Sequence, residues 1–470
     1  MRTIYKKVDY NPAGDSFISS ASFISSQYSK NMMAIPSPNA LSKVAYLGSF
    51  PGLKLWSSGA SLEPDRGIYN YLFQNKAWKV SGNTLYSFDS NGTQTAVGTI
   101  PGTDLCDIKA NDNTLLICNG AGLYSCDGST VTALSPGFTA VSLDYLNKQF
   151  IVSDTDSICR ISDVGSTTFN SDNTFLAESQ QDEVVAVKVF NQFLFLCGSK
   201  TIEPSENTGV GNPPVSRLNG AIIEDTGLLS RTAITNTRSS LYFLGANRIP
   251  YRLINFQSEN LSEKNPGIAQ LFRSYNANCF LSSFIANSQE IVAFCFPTDK
   301  KVWCFSELTG LWFQLDHDTD DQLWLGKTSA YLFDKQLIGD RANGNIYELD
   351  AATYQNNSVP MVRERVFRPL SGEMIAGSRD YFKMRMIQFA VETGVGVGDD
   401  NPQMQVSYST DNYPFSNEHW LSLGRTGEYL KFVEDYSNKR FKSLVVKVRY
   451  TENTRFSIGA AGIYVRMGVR

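Results

Sequence analysis

The sequence predicts an all-β protein: a β-propeller-like body of six to seven blades, then a C-terminal β-sandwich or jelly-roll domain. Three observations carry this. Short apolar runs separated by Gly, Asn, Asp and Ser fill most of the chain, and helical periodicity is scarce. Aromatic residues reach 12%, with 22 Tyr and 29 Phe, and such side chains suit a pleated, half-buried surface. A hairpin-sized pattern recurs along most of the chain before residue 360.

Taken in order, residues 1–45 are Ser- and Asn-rich, with Pro36 and Pro38. They read as an extended N-terminal arm that packs on the body or on a neighbour. The body is placed at 46–358. Its repeat is a polar turn pair, an apolar strand, a Gly- or Asp-bearing turn and a second strand. The second strand often reads aliphatic, aromatic, any residue, apolar, Asp. Residues 75–89, 113–127 and 335–350 are the clearest copies, and 148–163, 191–203, 239–253 and 289–305 are weaker ones. The first apolar residues are Trp78, Leu115, Phe150, Phe193, Leu241, Ile291 and Leu337, at separations of 37, 35, 43, 48, 50 and 46 residues. A four-stranded propeller blade takes about 40–50 residues. One hairpin cannot bury its apolar face alone, whereas a ring of small sheets packed face to face can. Asn343-Gly344 suits a type I′ turn. Irregular spacing and the polar insert 206–220, with Pro213-Pro214, leave the blade number between six and seven. One short helix is expected at 267–274.

Beyond Pro360 the strands lengthen: 361–367, 383–391, 403–409, 442–450 and 455–465. From Val446 onward the two-residue alternation is plain, and 359–470 reads as the sandwich domain. Its charge differs too. Residues 361–470 carry 16 Lys+Arg and 12 Asp+Glu, net +4, and the remainder carries 26 against 34, net −8.

Composition narrows the chemistry. A net charge of −4 argues against a general nucleic-acid-binding surface, which carries a basic excess. The chain has only His317 and His419, far apart and outside any HExxH pattern, while most catalytic triads and catalytic zinc sites need histidine. The eight cysteines form no CxxC pair. Several lie in apolar strands and read as small buried hydrophobes of a reduced compartment. No secretory h-region follows Met1, and no stretch approaches the ~18 apolar residues of a membrane helix, so synthesis and folding in a cytosol are expected.

Four constellations remain. Asp316, Asp318, Asp320 and Asp321 flank His317 and Thr319 in the densest acidic cluster. Carboxylates so close suit Ca²⁺, but the EF-hand spacing and its Gly are missing; a solvated loop or an acidic pore lip is the plainer reading. Gly394, Gly396 and Gly398 have the composition of a phosphate loop without the helix or Lys that one needs. Residues 409–420 resemble a degenerate Asp-box (Ser-x-Asp-x-Gly-x-x-Trp) around Asp411 and Trp420. Arg363, Arg365 and Arg368 form a basic strand, read either as a contact with DNA phosphate or an acidic partner, or as the wet face of an alternating strand. No catalytic residue, metal or cofactor is expected.

Several stretches resemble the packaged-DNA stabilisation family, the tail hub or nozzle of short-tailed, podovirus-type phages. Ala45-Tyr46-Leu47-Gly48-Ser49-Phe50-Pro51-Gly52 is similar to its aromatic-Leu-x-Ser-Phe-Pro-Gly signature. Arg66-Gly67 and 78–86 resemble its first hairpin. The most specific match comprises Ala177-Glu178-Ser179-Gln180, Asp182, Phe193, Cys197-Gly198-Ser199, Thr201-Ile202-Glu203 and Thr208-Gly209. Arg273-Ser274-Tyr275 and the strands 441–449 and 458–465 follow in order.

The resemblance implies a structural, non-enzymatic protein of the virion tail, made in the host cytoplasm. It implies a homo-hexameric ring below the portal-adaptor ring that extends the DNA-ejection channel and helps retain packaged DNA. Tailspike or fibre proteins and a needle or plug would dock on it, and genomic DNA would pass without sequence-specific binding. The acidic body agrees with this, because an acidic wall repels phosphate; on this view Asp316–Asp321 face the lumen. The alternative, suggested by the Asp-box and the aromatic content, is a glycan-binding or glycan-cleaving propeller on the virion surface.

Overall fold

A computed structural model describes residues 5–12, 14–16, 26–36, 46–59, 61–177, 182–317, 322–377, 380–396 and 400–467. Seven four-stranded antiparallel units follow one another between residues 52 and 350. We number them blades 1 to 7 from the innermost strands Asp65–Ile68, Asp107–Ala110, Ala140–Leu146, Val184–Phe190, Ile234–Asn236, Phe280–Ala286 and Gly326–Leu332. Each of the seven positions from Trp78 to Leu337 that mark the sequence repeat lies in the second strand of its blade. The repeat marks that strand because it is buried on both faces and so must be apolar.

Neighbouring blades share apolar cores around the ring. Trp78, Val80 and Leu85 of blade 1 meet Leu115 and Ile117 of blade 2, and Leu116 and Leu123 meet Phe150 and Val152 of blade 3. Ala330 and Leu337 of blade 7 close on Ala77 and Phe88 of blade 1. Blade 7 takes its outermost strand, Gly52–Ser57, from before blade 1, paired antiparallel with Ile346–Asp350. A strand borrowed across the seam seals the ring without an exposed edge.

The sandwich differs from the expected domain 359–470, because the N-terminal segment supplies part of both its sheets. In one sheet Lys6–Tyr10 and Tyr46–Ser49 pair with Ser457–Met467, which also pairs with Phe382–Val391; Met32–Ile35 pairs with Tyr46–Ser49. In the other, Tyr28–Lys30 pairs with Arg363–Val366, then come Ser443–Tyr450, Gln403–Thr410 and His419–Ser422. Met384, Ile387, Ile463, Val406, Val446 and Val448 fill the space between. Met384 and Ile387 both face inward despite their odd spacing because a register shift separates Met384 from Met386. The arm expected at 1–45 is therefore not a separate element where it is described, and the body begins at Gly52 rather than 46. Strands of three to five residues paired across more than 300 positions leave no local signal.

The two domains share hydrogen bonds. Lys30 pairs in parallel with Gln314 of the last strand of blade 6, so that blade continues into the second sandwich sheet. The expected helix at 267–274 is Pro266–Ser274, opened by Pro at its first turn and burying Ile268, Ala269 and Phe272. A five-residue helix, Gly372–Ala376, was not expected; Ser371 caps its start and Gly377, at φ 63°, ends it.

Candidate functional site: the domain junction and the axial channel

Of the four described charged residues singled out in the acidic cluster and the basic strand, three fall at the junction, and inside it. Arg363 and Arg365 are fully buried, so the strand face read as wet or DNA-contacting is covered. Arg363 donates to the carbonyls of Thr454 at 2.6 Å, Glu452 at 2.5 Å and Met361 at 3.2 Å, and lies over the Tyr450 ring. Arg365 donates to Ser29 Oγ at 3.0 Å. Burial pushes both guanidinium pKa values down to about 10, which leaves them charged at neutral pH. Asp316 is also buried, 3.1 Å from Lys30 Nζ, and its N–H donates to Asn31 Oδ1 at 3.0 Å. It is no pore lip. Arg368 alone of the three arginines is exposed. Asp318, Asp320 and Asp321 lie outside the described residues, as does Gly398.

The Asp-box is not formed. Asp411 accepts from the N–H groups of Lys442 at 2.7 Å and Ser443 at 2.8 Å on a neighbouring strand, and Trp420 is 59% exposed rather than covering a core. His419 Nδ1 instead lies 3.0 Å from Asp435, which also accepts from Tyr408 and Ser437. All eight cysteines are buried and unpaired, and burial pushes the Cys106, Cys118 and Cys197 thiols up to about 12. Such thiols carry little nucleophilic thiolate.

The signature motifs are clamps. Along Ser49-Phe50-Pro51-Gly52 the chain crosses from sandwich to propeller. Ser49 Oγ donates to the Phe456 carbonyl at 3.0 Å, and Phe50 packs on Phe284, Phe313 and Trp324. A Cβ on Gly52 would stand 2.4 Å from the Gln355 carbonyl, so only glycine allows this approach. Asp182 ties the turn at 198–201: it accepts from the N–H groups of Ser199, Lys200 and Thr201 at 2.8–2.9 Å and from both hydroxyls. Gly198 leaves room for that carboxylate. Arg66 donates to the carbonyls of Asp104, Gly82 and Ile100 at 2.7–2.8 Å, tying blade 1 to the loop before blade 2. Beside Arg273-Ser274-Tyr275, Arg248 takes the Arg273 and Tyr275 carbonyls.

No sequence motif marks the residues of the axial channel. All seven innermost strands, or the residues flanking them, line a cavity of about 220 Å³, with wider mouths of about 550 Å³ at either end. Polar side chains stitch adjacent strands. Asp107 accepts the Leu143 N–H at 3.3 Å, Ser142 the Val187 N–H and Asp144 the Val189 N–H at 2.8 Å. The Ser282 and Ser329 hydroxyls are 2.9 Å apart, and Thr328 donates to Asp65 at 2.9 Å. Lysine and arginine outnumber carboxylates in the lining: Arg66, Lys109, Lys188, Arg231 and Lys327 against Asp107. Lys109 reaches Asp144 at 2.6 Å. Burial opposes the Lys109 charge, but Asp144 more than offsets it and the pKa ends above the lysine value. Arg231 donates to the Leu105 carbonyl at 2.5 Å.

A second surface lies on the sandwich. Tyr429, Leu430 and Phe432 are strongly exposed beside a groove of about 520 Å³ lined by Phe389, Val391 and Ala461.

Among solved structures, the computationally designed Ika8 protein is similar over 63% of this chain and 99% of its own, at 11% identity and a TM-score of 0.40. The N-terminal domain of Nup159 is similar over 71% of this chain and 98% of its own, also at 11% and 0.40. No curated protein matches the sequence. Two family models do: "Bacteriophage P22 Gp10, beta-propeller" over residues 13–354, and "Bacteriophage P22 Gp10, beta-sandwich" over residues 370–466. Together they take in both domains, and the chain belongs to the bacteriophage P22 Gp10 family of DNA-stabilisation proteins, structural components of the podovirus tail.

Proposed function

We propose that the chain is a tail hub: six copies form a ring below the portal-adaptor complex, extend the DNA-ejection channel and help retain the packaged genome. Tailspike or fibre proteins dock on its flank and a needle or plug at its tip. It performs no catalysis, and it is made in the host cytoplasm before joining the virion. The carrying observation is the family match over both domains in order. The shared sheet between blade 6 and the sandwich supports the reading, because a wall around pressurised DNA must not flex at a linker. The exposed apolar loop at 429–432 supports a protein contact on the sandwich. An acidic lumen, if the ring has one, draws on carboxylates other than Asp316, which is buried against Lys30.

The test is peptide mass spectrometry on purified virions, with copy number normalised to the portal protein. Half as many copies as portal subunits is the expected result. Absence from virions would overturn the proposal, and copies well above that ratio would indicate a spike or fibre instead.

A further inference from the structure

We propose that the axial channel of the propeller is a binding site for a small oxyanion of the phosphate class, held by the ammonium groups of Lys188 and Lys327. The inference is independent of the hub reading. Its first support is a reversal of charge. Outside residues 361–470 the chain is net −8, yet five cations and one carboxylate line this cavity on its axis.

The second support is the difference between the satisfied and the unsatisfied cations. Lys109 has Asp144, Arg66 has backbone carbonyls, and Arg231 has the Leu105 carbonyl with Asp107 at 3.7 Å. Lys188 and Lys327 are only partly exposed, and neither has a hydrogen-bond or ion-pair partner among the described residues. Asp107 of the lining and the neighbouring Asp144 are already engaged by backbone N–H groups of the next blade. Burial is the largest cause lowering both lysine pKa values, and Asp144 and Asp107 near Lys188, and Asp65 near Lys327, offset it only in part.

The third support is backbone geometry. The pairing register shifts between Gly326 and Thr328, so Lys327 sits at a bulge, a device that re-aims a side chain. Lys188 lies on the inner strand of blade 4, and among the described residues no hydrogen bond joins that strand to Ile234–Asn236 of blade 5. The cavity of about 220 Å³ holds a phosphate-sized ion with a few waters, each water taking about 30 Å³. It excludes a nucleic-acid strand.

The experiment is calorimetric titration of the full chain with inorganic phosphate at constant ionic strength. We expect saturable binding at one site, weakened at least about tenfold by Lys188→Met and by Lys327→Met, and unchanged by Lys76→Met on the exposed surface. The proposal is overturned if no saturable binding occurs, if chloride reproduces the heats, or if both channel variants bind like the wild type. Should a channel variant fail to fold, tungstate soaked into crystals of the wild-type chain decides. An anomalous peak on the propeller axis beside Lys188 or Lys327 supports the site, and peaks only elsewhere, or none, overturn it.

Discussion

Arg363 at the domain junction and Lys188 in the channel are both cations withdrawn from water, but their surroundings differ. Arg363 has carbonyls from two segments, at 361 and at 452–454, and an aromatic face. Its planar fork can be saturated by fixed acceptors, and once saturated it holds those segments together. Lys188 has no such acceptors, and its nearest carboxylates are committed to other donors. The first arrangement is a fastener. The second leaves a charge waiting for a counter-ion.

Four measurements would break or sharpen this contrast, beginning with the largest effect. Arg363→Met strands the Thr454 and Glu452 carbonyls in a buried junction, so urea unfolding should show a loss of about 3 kcal/mol. A loss below 1 kcal/mol would mean that the junction is not fastened there. Gly52→Ala drives a methyl into the Gln355 and Thr353 carbonyls at the ring seam and should cost about 2–3 kcal/mol, as overpacking does. An unchanged midpoint would show that the closing strand can shift freely.

Asp182→Ala removes the five bonds that its carboxylate accepts from the 198–201 turn, at a cost of about 2 kcal/mol. Burial works against the Asp182 carboxylate, but the Ser199, Lys200 and Thr201 donors more than offset it, so its pKa lies below 3.8. A depressed carboxylate stabilises above its unfolded pKa, and that stability is lost as the pH falls through the folded one. The variant should therefore lose the part of the acid-unfolding limb below about pH 4; an identical acid limb would contradict the assignment. The smallest effect has the opposite sign. Without added phosphate, Lys188→Met should raise the melting temperature by a few degrees at pH 7. The folded Lys188 pKa is lowered from 10.5, with Lys109, Asp144 and Asp107 around it. The folded state is thus penalised at neutral pH and relieved as the pH rises toward 10.5, so the advantage of the variant should shrink over that interval. A variant less stable than wild type in phosphate-free buffer would place Lys188 among the fasteners.

The blades were legible because their second strands are buried on both faces and so repeat as apolar runs; Trp78, Leu115 and Phe150 needed no other clue. Arg363 and Arg365 misled because alternation tells which residues share a face, and not what covers it. Here the cover is a segment more than 300 residues earlier, ending in Ser29 and Ser49. The Asp-box failed for a related reason: Asp411 had a backbone partner on another strand that no local pattern shows. Lys188 and Lys327 were unremarkable in sequence, since only ring closure brings blades 4 and 7 to one axis. The family signature proved informative about architecture. Its Asp182, Gly52 and Arg66 each make a tight turn or seam possible.

The borrowed strands have a consequence for biosynthesis. Gly52–Ser57 finds its partner only after residue 350 has been made, and Lys6–Tyr10 only after residue 465. During translation the first segment of the chain must wait, unpaired, for almost the whole of the rest. The propeller has all its strands once residue 350 is made, whereas the sandwich must wait for Ser457–Met467 and cannot be excised as a C-terminal piece. A fragment covering 370–466 would lack the partners of Ser457–Met467 and expose a long strand edge to aggregation. In such a protein the two halves lock together only after the last strand has been made.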